Sequence, residues 1–359
     1  MHVNTERGFS GGEVQVFLLL EGLRAAGQEV MLVAPPGSAS ATIARQRGFP
    51  VAELGLRHPF DLWSVWRLAQ LLRRAQLVHL HTGRAAWLGS VAARLARCPA
   101  VITRRMDRAV KRGPRTRFAY VHTARAVIAI SPAVQRCLVA GGVPAGRIVL
   151  VPDALDPQRL LAPVGREATR RALGVGDDHL LVLTLAQLMH RKGLDVLLHA
   201  AARLRDPRLR FVIAGDGPEA ASLQQLTATL QLANVVQWLG RRSDAGDLLA
   251  ACDLFVLPSR AEGLGVAALE ALGAARPVIG TRVGGLADLL ADGVGMLVAP
   301  ADAAALAAAM AQLAADAPLR QRLAAGGPAR VDAGFRPEQY VARHLAIYQD
   351  VLAAASRPR

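Results

Sequence analysis

Two glutamates eight positions apart, Glu262 and Glu270, are the residues of this chain whose spacing most clearly indicates chemistry. A short apolar run, 253–257, precedes Glu262, and a Gly-bounded loop and an Ala- and Leu-rich stretch follow it. The pattern predicts a strand, a turn that carries Glu262, and a helix that carries Glu270 about two turns further along. Free backbone N–H groups at such a helix start suit a phosphate or a sugar hydroxyl.

Lys192 is a second candidate for the same chemistry. It follows a predicted strand that ends near Leu185 and precedes a predicted helix that begins near Leu194. A cation beside a helix N-terminus, at the carboxyl end of a parallel strand, suits the negative charge of a diphosphate.

These residues and their surroundings resemble the E-x7-E signature of the retaining nucleotide-sugar glycosyltransferases of family 4. The segments PSR, EGLG and PVIGTRVGG around the glutamates match it, as do GDGP at 215–218, LGR at 239–241 and SPAV at 131–134, so the resemblance covers nearly the whole chain. It implies a GT-B fold, an α/β architecture of two Rossmann-like doubly wound domains that face each other across a cleft. It also implies transfer of a hexose-like sugar without a metal or cofactor. The donor would be UDP-, GDP- or ADP-linked, and the acceptor a glycan or lipid-linked molecule of cell-surface polysaccharide or lipopolysaccharide biosynthesis.

The resemblance assigns roles to particular residues. Glu262 would contact the donor sugar, Glu270 the ribose hydroxyls, and Lys192 the diphosphate, whereas Gln187 stands where the family has an arginine. GGLAD places Asp288 where the family has a glutamate. The expected donor-binding set is Gln187, Lys192, Gly215, Gly217, Arg241, Glu262, Gly263, Leu264, Gly265, Val266, Glu270, Gly284 and Gly285, and the expected catalytic residues are Glu262, Lys192 and Arg105.

The N-terminal half is expected to present the acceptor side. Its candidates are Gly11, Gly12, His81, Arg104 and Asp107. Many family members end the strand near residue 103 with a histidine, but this chain reads TRRMD. Since a guanidinium cannot act as a base at neutral pH, Arg105 would stabilise leaving phosphate or hold an anionic acceptor.

Apolar runs alternate with helix-like segments along the chain, which indicates two parallel sheets covered on both faces. We place the first domain at 1–160, the nucleotide-sugar domain at 161–335, and a C-terminal helix at 336–359 that packs back on the first domain. The seam falls within 152–176, which is rich in Pro, Gly and charge. Only three residues precede the first polar loop, a stub that suggests a leader missing because of a wrong start codon.

Net charge is +15, which implies anionic partners. Aromatic residues make up only 4% of the chain, too few for the stacking platforms of nucleic-acid binding. We expect a cytoplasmic protein, peripheral on the inner face of the membrane, with no spanning segment. An anionic membrane or a phosphorylated core sugar would be held by the basic residues Arg104, Arg105, Arg108, Lys111, Arg112, Arg115 and Arg117.

Three cysteines lie far apart, and no His, Asp or Glu cluster has metal-ligand spacing, so we expect no metal. Two rival functions remain open. A sugar-nucleotide 2-epimerase or a phosphorylase shares the fold, but the former would lack the E-x7-E arrangement and the latter would need a pyridoxal-phosphate lysine. A non-catalytic nucleotide-sugar or glycan-binding relative is suggested by Gln187, Arg105 and Asp288.

Overall fold

Two parallel β-sheets organise the chain in a computed structural model that describes residues 1–56, 58 and 60–356. Each sheet belongs to its own unit. The first unit comprises Met1–Ala154 and the C-terminal helix from Pro337, and the second comprises Leu155–Arg336.

The sheet of the first unit has seven parallel strands in the order β3-β2-β1-β4-β5-β6-β7. Strands and helices alternate: β1 (His2–Val3), α1 (Gly11–Ala25), β2 (Leu32–Ala34), α2 (Ala39–Gln46), β3 (Val51–Glu53), α3 (Leu62–Leu72), β4 (Val78–Leu80), α4 (Gly83–Ala96), β5 (Ala100–Arg104), α5 (Pro114–Thr116), β6 (Ala124–Ala129), α6 (Pro132–Ala140) and β7 (Ile148–Leu150).

The second unit has a six-stranded parallel sheet in the order β10-β9-β8-β11-β12-β13. Its elements are α7 (Arg166–Ala172), β8 (Leu180–Leu185), α8 (Leu194–Leu204), β9 (Leu209–Ala214), α9 (Ala220–Thr229), β10 (Val236–Gly240), α10 (Ala245–Ala251), β11 (Leu254–Leu257), α11 (Val266–Gly273), β12 (Val278–Thr281), α12 (Gly284–Leu289), β13 (Met296–Val298), α13 (Ala303–Ala315) and α14 (Ala317–Gly334).

The C-terminal helix α15 (Pro337–Ser356) packs on α1 within the first unit. Its buried residues Tyr340, Val341, Ile347 and Val351 join a core with Leu19 and Leu23. The two helices approach closely at Gly22, where an added Cβ would lie 2.2 Å from a methyl carbon of Val341. Among the described helices, none is long and apolar enough to cross a bilayer.

The predicted α/β architecture with two doubly wound sheets is confirmed, because the continuous apolar runs form buried parallel strands. The strand predicted to end near Leu185 is Leu180–Leu185, and the apolar run 253–257 forms the strand Leu254–Leu257. The edge strand β3, which is three residues long and only partly buried, was not predicted from the sequence. The predicted N-terminal stub forms the short strand β1, which lies between β2 and β4.

Both sheets reverse their strand order at one point, between β1 and β4 in the first sheet and between β8 and β11 in the second. In open α/β sheets, ligands bind outside the carboxyl ends of the strands at such a reversal. The loops after β8 and β11 carry Lys192 and Glu262, the loop after β1 leads to Gly11 at the start of α1, and His81 follows β4. The topology therefore selects the same loops as the sequence motifs.

Candidate functional site

Lys192 and Glu262 meet in the second unit. Lys192 lies in a 3-10 turn, His190–Lys192, after β8, and Glu262 lies in the loop between β11 and α11. The Lys192 ammonium donates to Glu262 Oε2, and the side chains are only 12% and 9% exposed. Ser259 Oγ donates to the same oxygen at 3.2 Å. Two residues that the sequence assigned to different parts of a donor thus form one charged pair.

The loops that carry this pair are fixed to each other. Gly193 has a φ of +66° at the start of α8, and an added Cβ would lie 2.1 Å from the carbonyl oxygen of Pro258. Only glycine fits this close approach. Arg260 donates to both oxygens of Asp195 at 2.6 Å and to the carbonyl of His190 at 3.0 Å. The contacts hold Lys192 beside Glu262 at the N-terminus of α8.

The GDGP loop after β9 supports the loop that carries Gln187. Added Cβ atoms on Gly215 and Gly217 would lie 1.7 Å and 2.4 Å from the carbonyl oxygens of Ala186 and Leu188. These glycines therefore allow two backbones to touch. Gln187 itself is exposed, and Arg241 is exposed after β10. The predicted donor residues of this region share one end of the sheet.

Glu270 has a partner that sequence analysis missed. Arg159, in the 3-10 turn Pro157–Leu160, donates from Nε to Glu270 Oε1 at 2.5 Å and from Nη2 to Oε2 at 3.3 Å. Glu270 lies on α11 as predicted and is buried. Burial raises the pKa of its carboxyl group, and the Arg159 guanidinium opposes that rise. Nothing local in the sequence around Arg159 marks this contact, because 111 residues separate the partners.

The loop from Gly263 to Val266 lies against the start of α12. Gly265, the residue before α11, has a φ of +96°, which favours glycine, and Leu264 is buried. Gly285 N–H donates to the carbonyl of Glu262 at 3.0 Å, and Gly284 begins α12 with a φ of +48°. The glycine pair therefore anchors the backbone at Glu262.

Asp288, the residue that differs from the family pattern, lies further along α12. Its Oδ2 is buried and has no hydrogen-bond partner in the described part of the chain, whereas its backbone carbonyl accepts from Arg330 Nη2 at 2.6 Å. One oxygen of this shorter carboxylate is therefore buried, although the residue as a whole is only half-buried.

In the first unit, Gly11 and Gly12 are the first two residues of α1. Glu13 accepts from both the backbone N–H and the hydroxyl of Ser10, at 2.9 Å and 2.7 Å, in a capping box. Asn4 Nδ2 also donates to Glu13, at 3.2 Å. The helix start at the glycine pair is therefore anchored from both sides.

Arg105 lies inside the first unit. Its Nε donates to Asp153 Oδ1 at 3.2 Å and its Nη2 to the Tyr340 hydroxyl at 3.3 Å, while Nη1 lies 3.4 Å from His81 Nδ1. The Arg105 and Asp153 side chains are 12% and 3% exposed. An added Cβ on Gly12 would lie 3.8 Å from Arg105 Cδ. Arg105 therefore lies beside Gly12 of α1, His81 after β4 and Tyr340 of α15.

Arg104 is the last residue of β5, and Asp107 lies in the loop that follows. Arg104 donates from Nε to the Met106 carbonyl at 3.2 Å and from Nη2 to the Arg108 carbonyl at 2.9 Å. The Asp107 carbonyl accepts from Cys137 Sγ at 3.1 Å. Arg104 thus shapes this loop, in addition to any contact with an acceptor.

The first sheet brings together histidines that the sequence keeps apart. Ring nitrogens of His2, His79 and His81 lie within 4.8 Å of one another, a grouping that was not predicted from the sequence. His79 bonds to Tyr348 and Thr103 at 2.6 Å each, and His2 Nδ1 lies 3.0 Å from His81 Nε2. A metal ion would have to displace these bonds and face the Arg105 guanidinium, so we interpret the group as a neutral hydrogen-bonded network.

Burial lowers the pKa of four histidines in this region: His2, His79, His81 and His344, the last to about 3. In the unfolded chain these histidines take up protons below about pH 6.5, whereas in the folded chain they do not. Their contribution to the free energy of unfolding is therefore fully present above that pH and is lost as the pH falls. We expect each histidine to contribute a slope of about 1.4 kcal/mol per pH unit. Urea unfolding followed by tryptophan fluorescence at several pH values measures this slope. His344→Phe should reduce the slope by the contribution of one proton, about 1.4 kcal/mol per pH unit. An unchanged slope would contradict a lowered pKa of His344.

Two family models match the chain in succession. One, described as Glycosyltransferase Family 4, matches residues 9–159, and the other, described as Glycosyl transferases group 1, matches residues 165–330. The second match contains Lys192, Glu262 and Glu270.

Curated relatives match part of the chain. A D-inositol 3-phosphate glycosyltransferase of Geodermatophilus obscurus is 39% identical over 178 residues, which are 44% of this chain and 39% of the relative. The lipopolysaccharide core biosynthesis mannosyltransferase LpsB of Rhizobium meliloti is 27% identical over 208 residues, 55% of this chain and 59% of the relative. The matched segments thus span about two fifths to three fifths of these relatives.

Solved structures share the fold over nearly the full length. HepE of Anabaena in complex with UDP has a TM-score of 0.88 at 23% identity and covers 97% of this chain and 99% of its own. A glycosyltransferase of Rickettsia africae has a TM-score of 0.88 at 19% identity, with 98% and 97% covered. The successive family matches and the shared GT-B fold show that this chain belongs to the family 4 glycosyltransferases.

Proposed function

We propose that the protein is a retaining, metal-independent glycosyltransferase that moves a hexose-like sugar from a nucleotide diphosphate to a glycan or lipid-linked acceptor of the cell surface. The observation that carries the proposal is the buried Lys192–Glu262 pair at the strand-order reversal of the second sheet. An ammonium beside a helix N-terminus can stabilise the diphosphate that leaves, and the carboxylate can hold the sugar hydroxyls. HepE, solved with UDP and with UDP-glucose, and LpsB, named for lipopolysaccharide core biosynthesis, support the donor and acceptor classes.

In this proposal Glu270 receives the ribose hydroxyls, and Arg159 holds its carboxylate in place. Both Glu270 oxygens accept from Arg159, yet a carboxylate oxygen has more than one lone pair and can accept again. The arginine also opposes protonation of the buried acid. Arg159 is therefore a positioning residue for the nucleotide.

A panel of UDP-, GDP- and ADP-sugars in a thermal-shift assay tests the donor class, because a ligand that binds only the folded protein raises the melting temperature by mass action. We expect stabilisation by one nucleotide series and slow hydrolysis of one sugar in it. NMR of the transfer product should show the anomeric configuration of the donor. Inversion would contradict a retaining mechanism, and the absence of binding by every donor would contradict the enzyme.

A non-catalytic relative is the second candidate, since Gln187 leaves an exposed, uncharged amide where the family pattern has a guanidinium. In that case a donor would stabilise the fold without being hydrolysed or transferred. Gln187→Arg distinguishes the two functions. It should raise the rate of an active enzyme and leave a purely binding protein inactive.

Lys192→Ala is expected to weaken donor binding and to slow transfer by about 10²–10³-fold, because one charge-stabilising donor is lost. Isothermal titration with the nucleotide diphosphate and initial rates measure the two effects. Arg203→Ala, which removes an exposed cation from the last turn of α8, the helix that follows Lys192, is the matched control. Unchanged affinity and rate in Lys192→Ala would remove Lys192 from the diphosphate site.

A further inference from the structure

The positive charge of this protein is concentrated in one stretch of the first unit. Residues 54–152 contain 17 arginines and lysines and only two acidic residues, Asp61 and Asp107, whereas the rest of the chain contains 26 basic and 26 acidic residues. The net charge of +15 therefore comes from this stretch.

The same stretch exposes large apolar side chains. Helix α3 buries Val65, Leu68 and Leu72 and packs on α4. The other face of α3 exposes Leu62 (74%), Trp63 (62%) and Trp66 (58%), and Phe60, which precedes the helix, is 71% exposed. We call these four apolar side chains the α3 patch. Exposed tryptophans grouped in this way mark interaction surfaces rather than core.

Arginines stand directly on the aromatic rings of this region. The Arg67 guanidinium carbon lies 4.9 Å from the centroid of the Trp63 ring. The Arg115 guanidinium carbon lies 5.5 Å from the Phe60 ring and 5.3 Å from the Trp87 ring. Arg115 belongs to an exposed basic segment, so we define the basic rim as Arg67, Lys111, Arg112, Arg115 and Arg117.

We propose that the α3 patch and the basic rim together dock the protein on an anionic lipid bilayer. Tryptophan prefers the boundary between headgroups and acyl chains, since its ring is apolar and its N–H is polar. A helix that presents tryptophans on one face and arginines beside them inserts shallowly in that boundary. The guanidinium groups meet lipid phosphates while their stems remain on apolar surface. The charge excess selects an anionic lipid surface over a neutral partner.

This surface differs from the one that the basic residues alone indicated. Arg104 and Arg105 bond to backbone carbonyls and to Asp153, so their donors are used within the first unit. Arg115 instead lies over the exposed ring of Phe60 and the half-buried ring of Trp87. The centre of the docking surface is therefore α3, and the segment from Lys111 to Arg117 is its rim.

Co-sedimentation of the full chain with vesicles tests the proposal. We expect binding to mixed phosphatidylglycerol and phosphatidylcholine vesicles, weak binding to phosphatidylcholine alone, and release by salt. The double variant Trp63→Ser/Trp66→Ser should bind at least about tenfold more weakly. Arg67→Glu/Arg115→Glu should also lose binding at low salt.

Matched controls come from the second unit. Leu161→Ser/Val164→Ser removes apolar side chains of similar exposure, 60% and 59%, and Arg203→Glu/Arg322→Glu makes the same change of net charge. Both should bind vesicles like the parent protein. The stabilisation by a nucleotide sugar should be the same in all variants, which separates this proposal from the donor assignment.

Two results would overturn the proposal. In the first, the parent protein fails to sediment with anionic vesicles, or the α3 variants and the controls lose binding equally. In the second, light scattering shows a dimer that Trp63→Ser/Trp66→Ser converts to a monomer, while vesicles are not bound. The α3 patch would then be an interface between copies of the chain.

Discussion

Glu262→Ala is expected to reduce sugar transfer by at least about 10³-fold while the protein remains folded. The Glu262 carboxylate is buried and accepts from Lys192 and Ser259. Because few water molecules can screen the charge of a buried carboxylate, Glu262 would interact more strongly with charge that develops on the sugar than an exposed carboxylate would. Initial rates with the donor identified by thermal shift measure the loss.

Two companion variants give this prediction its control. Glu262→Gln keeps the size and one hydrogen-bond acceptor but removes the charge, and it should recover donor binding more than it recovers the rate. Asp292→Ala removes a largely exposed carboxylate of the same unit and should leave the rate unchanged. Near-normal turnover of Glu262→Ala, with folding confirmed by circular dichroism, would place Glu262 outside the reacting centre.

Arg105→Ala is expected to destabilise the protein by about 3–5 kcal/mol, because it leaves the carboxylate of Asp153 buried without its charged partner. Asp153 is 3% exposed, and burial raises the pKa of its carboxyl group while Arg105 opposes the rise. The variant also breaks the hydrogen bond to Tyr340 of α15. Urea unfolding at neutral pH measures the loss through the tryptophans of the first unit.

A double variant separates this structural role of Arg105 from the catalytic role that the sequence suggested. Asp153→Asn/Arg105→Leu removes both charges and should lose less stability than Arg105→Ala alone, since no buried charge remains unpaired. If Arg105→Ala were as stable as the parent protein but inactive, Arg105 would act on the substrate. Loss of stability together with partial activity would make it a positioning residue.

The sequence by itself determined the class of fold and the loops that matter. Unbroken apolar runs can only be buried on both faces, so runs such as Leu180–Leu185 and Leu254–Leu257 had to be strands of a covered parallel sheet. Gly215, Gly217 and Gly265, which were named from the sequence as donor-binding residues, make close backbone contacts or have a positive φ in the structure. Lys192 and Glu262 could also be named from the sequence, because each follows a strand and precedes a helix.

Only the tertiary structure decided which side chains meet. Arg159 reaches Glu270, Arg105 reaches Asp153, and Lys192 reaches Glu262, across 111, 48 and 70 residues. Such partners depend on which strands are neighbours, and strand order is set by crossovers that leave no local pattern in the chain.

The exposure of α3 is also a tertiary result. Helix α3 (Leu62–Leu72) is apolar on two faces, and α4 covers only one of them. Which face remains at the surface follows from the packing of α3 on its neighbour. The sequence thus supplied Lys192, Glu262 and Glu270, whereas the order of the strands and the packing of the helices decided their partners and left the α3 patch exposed.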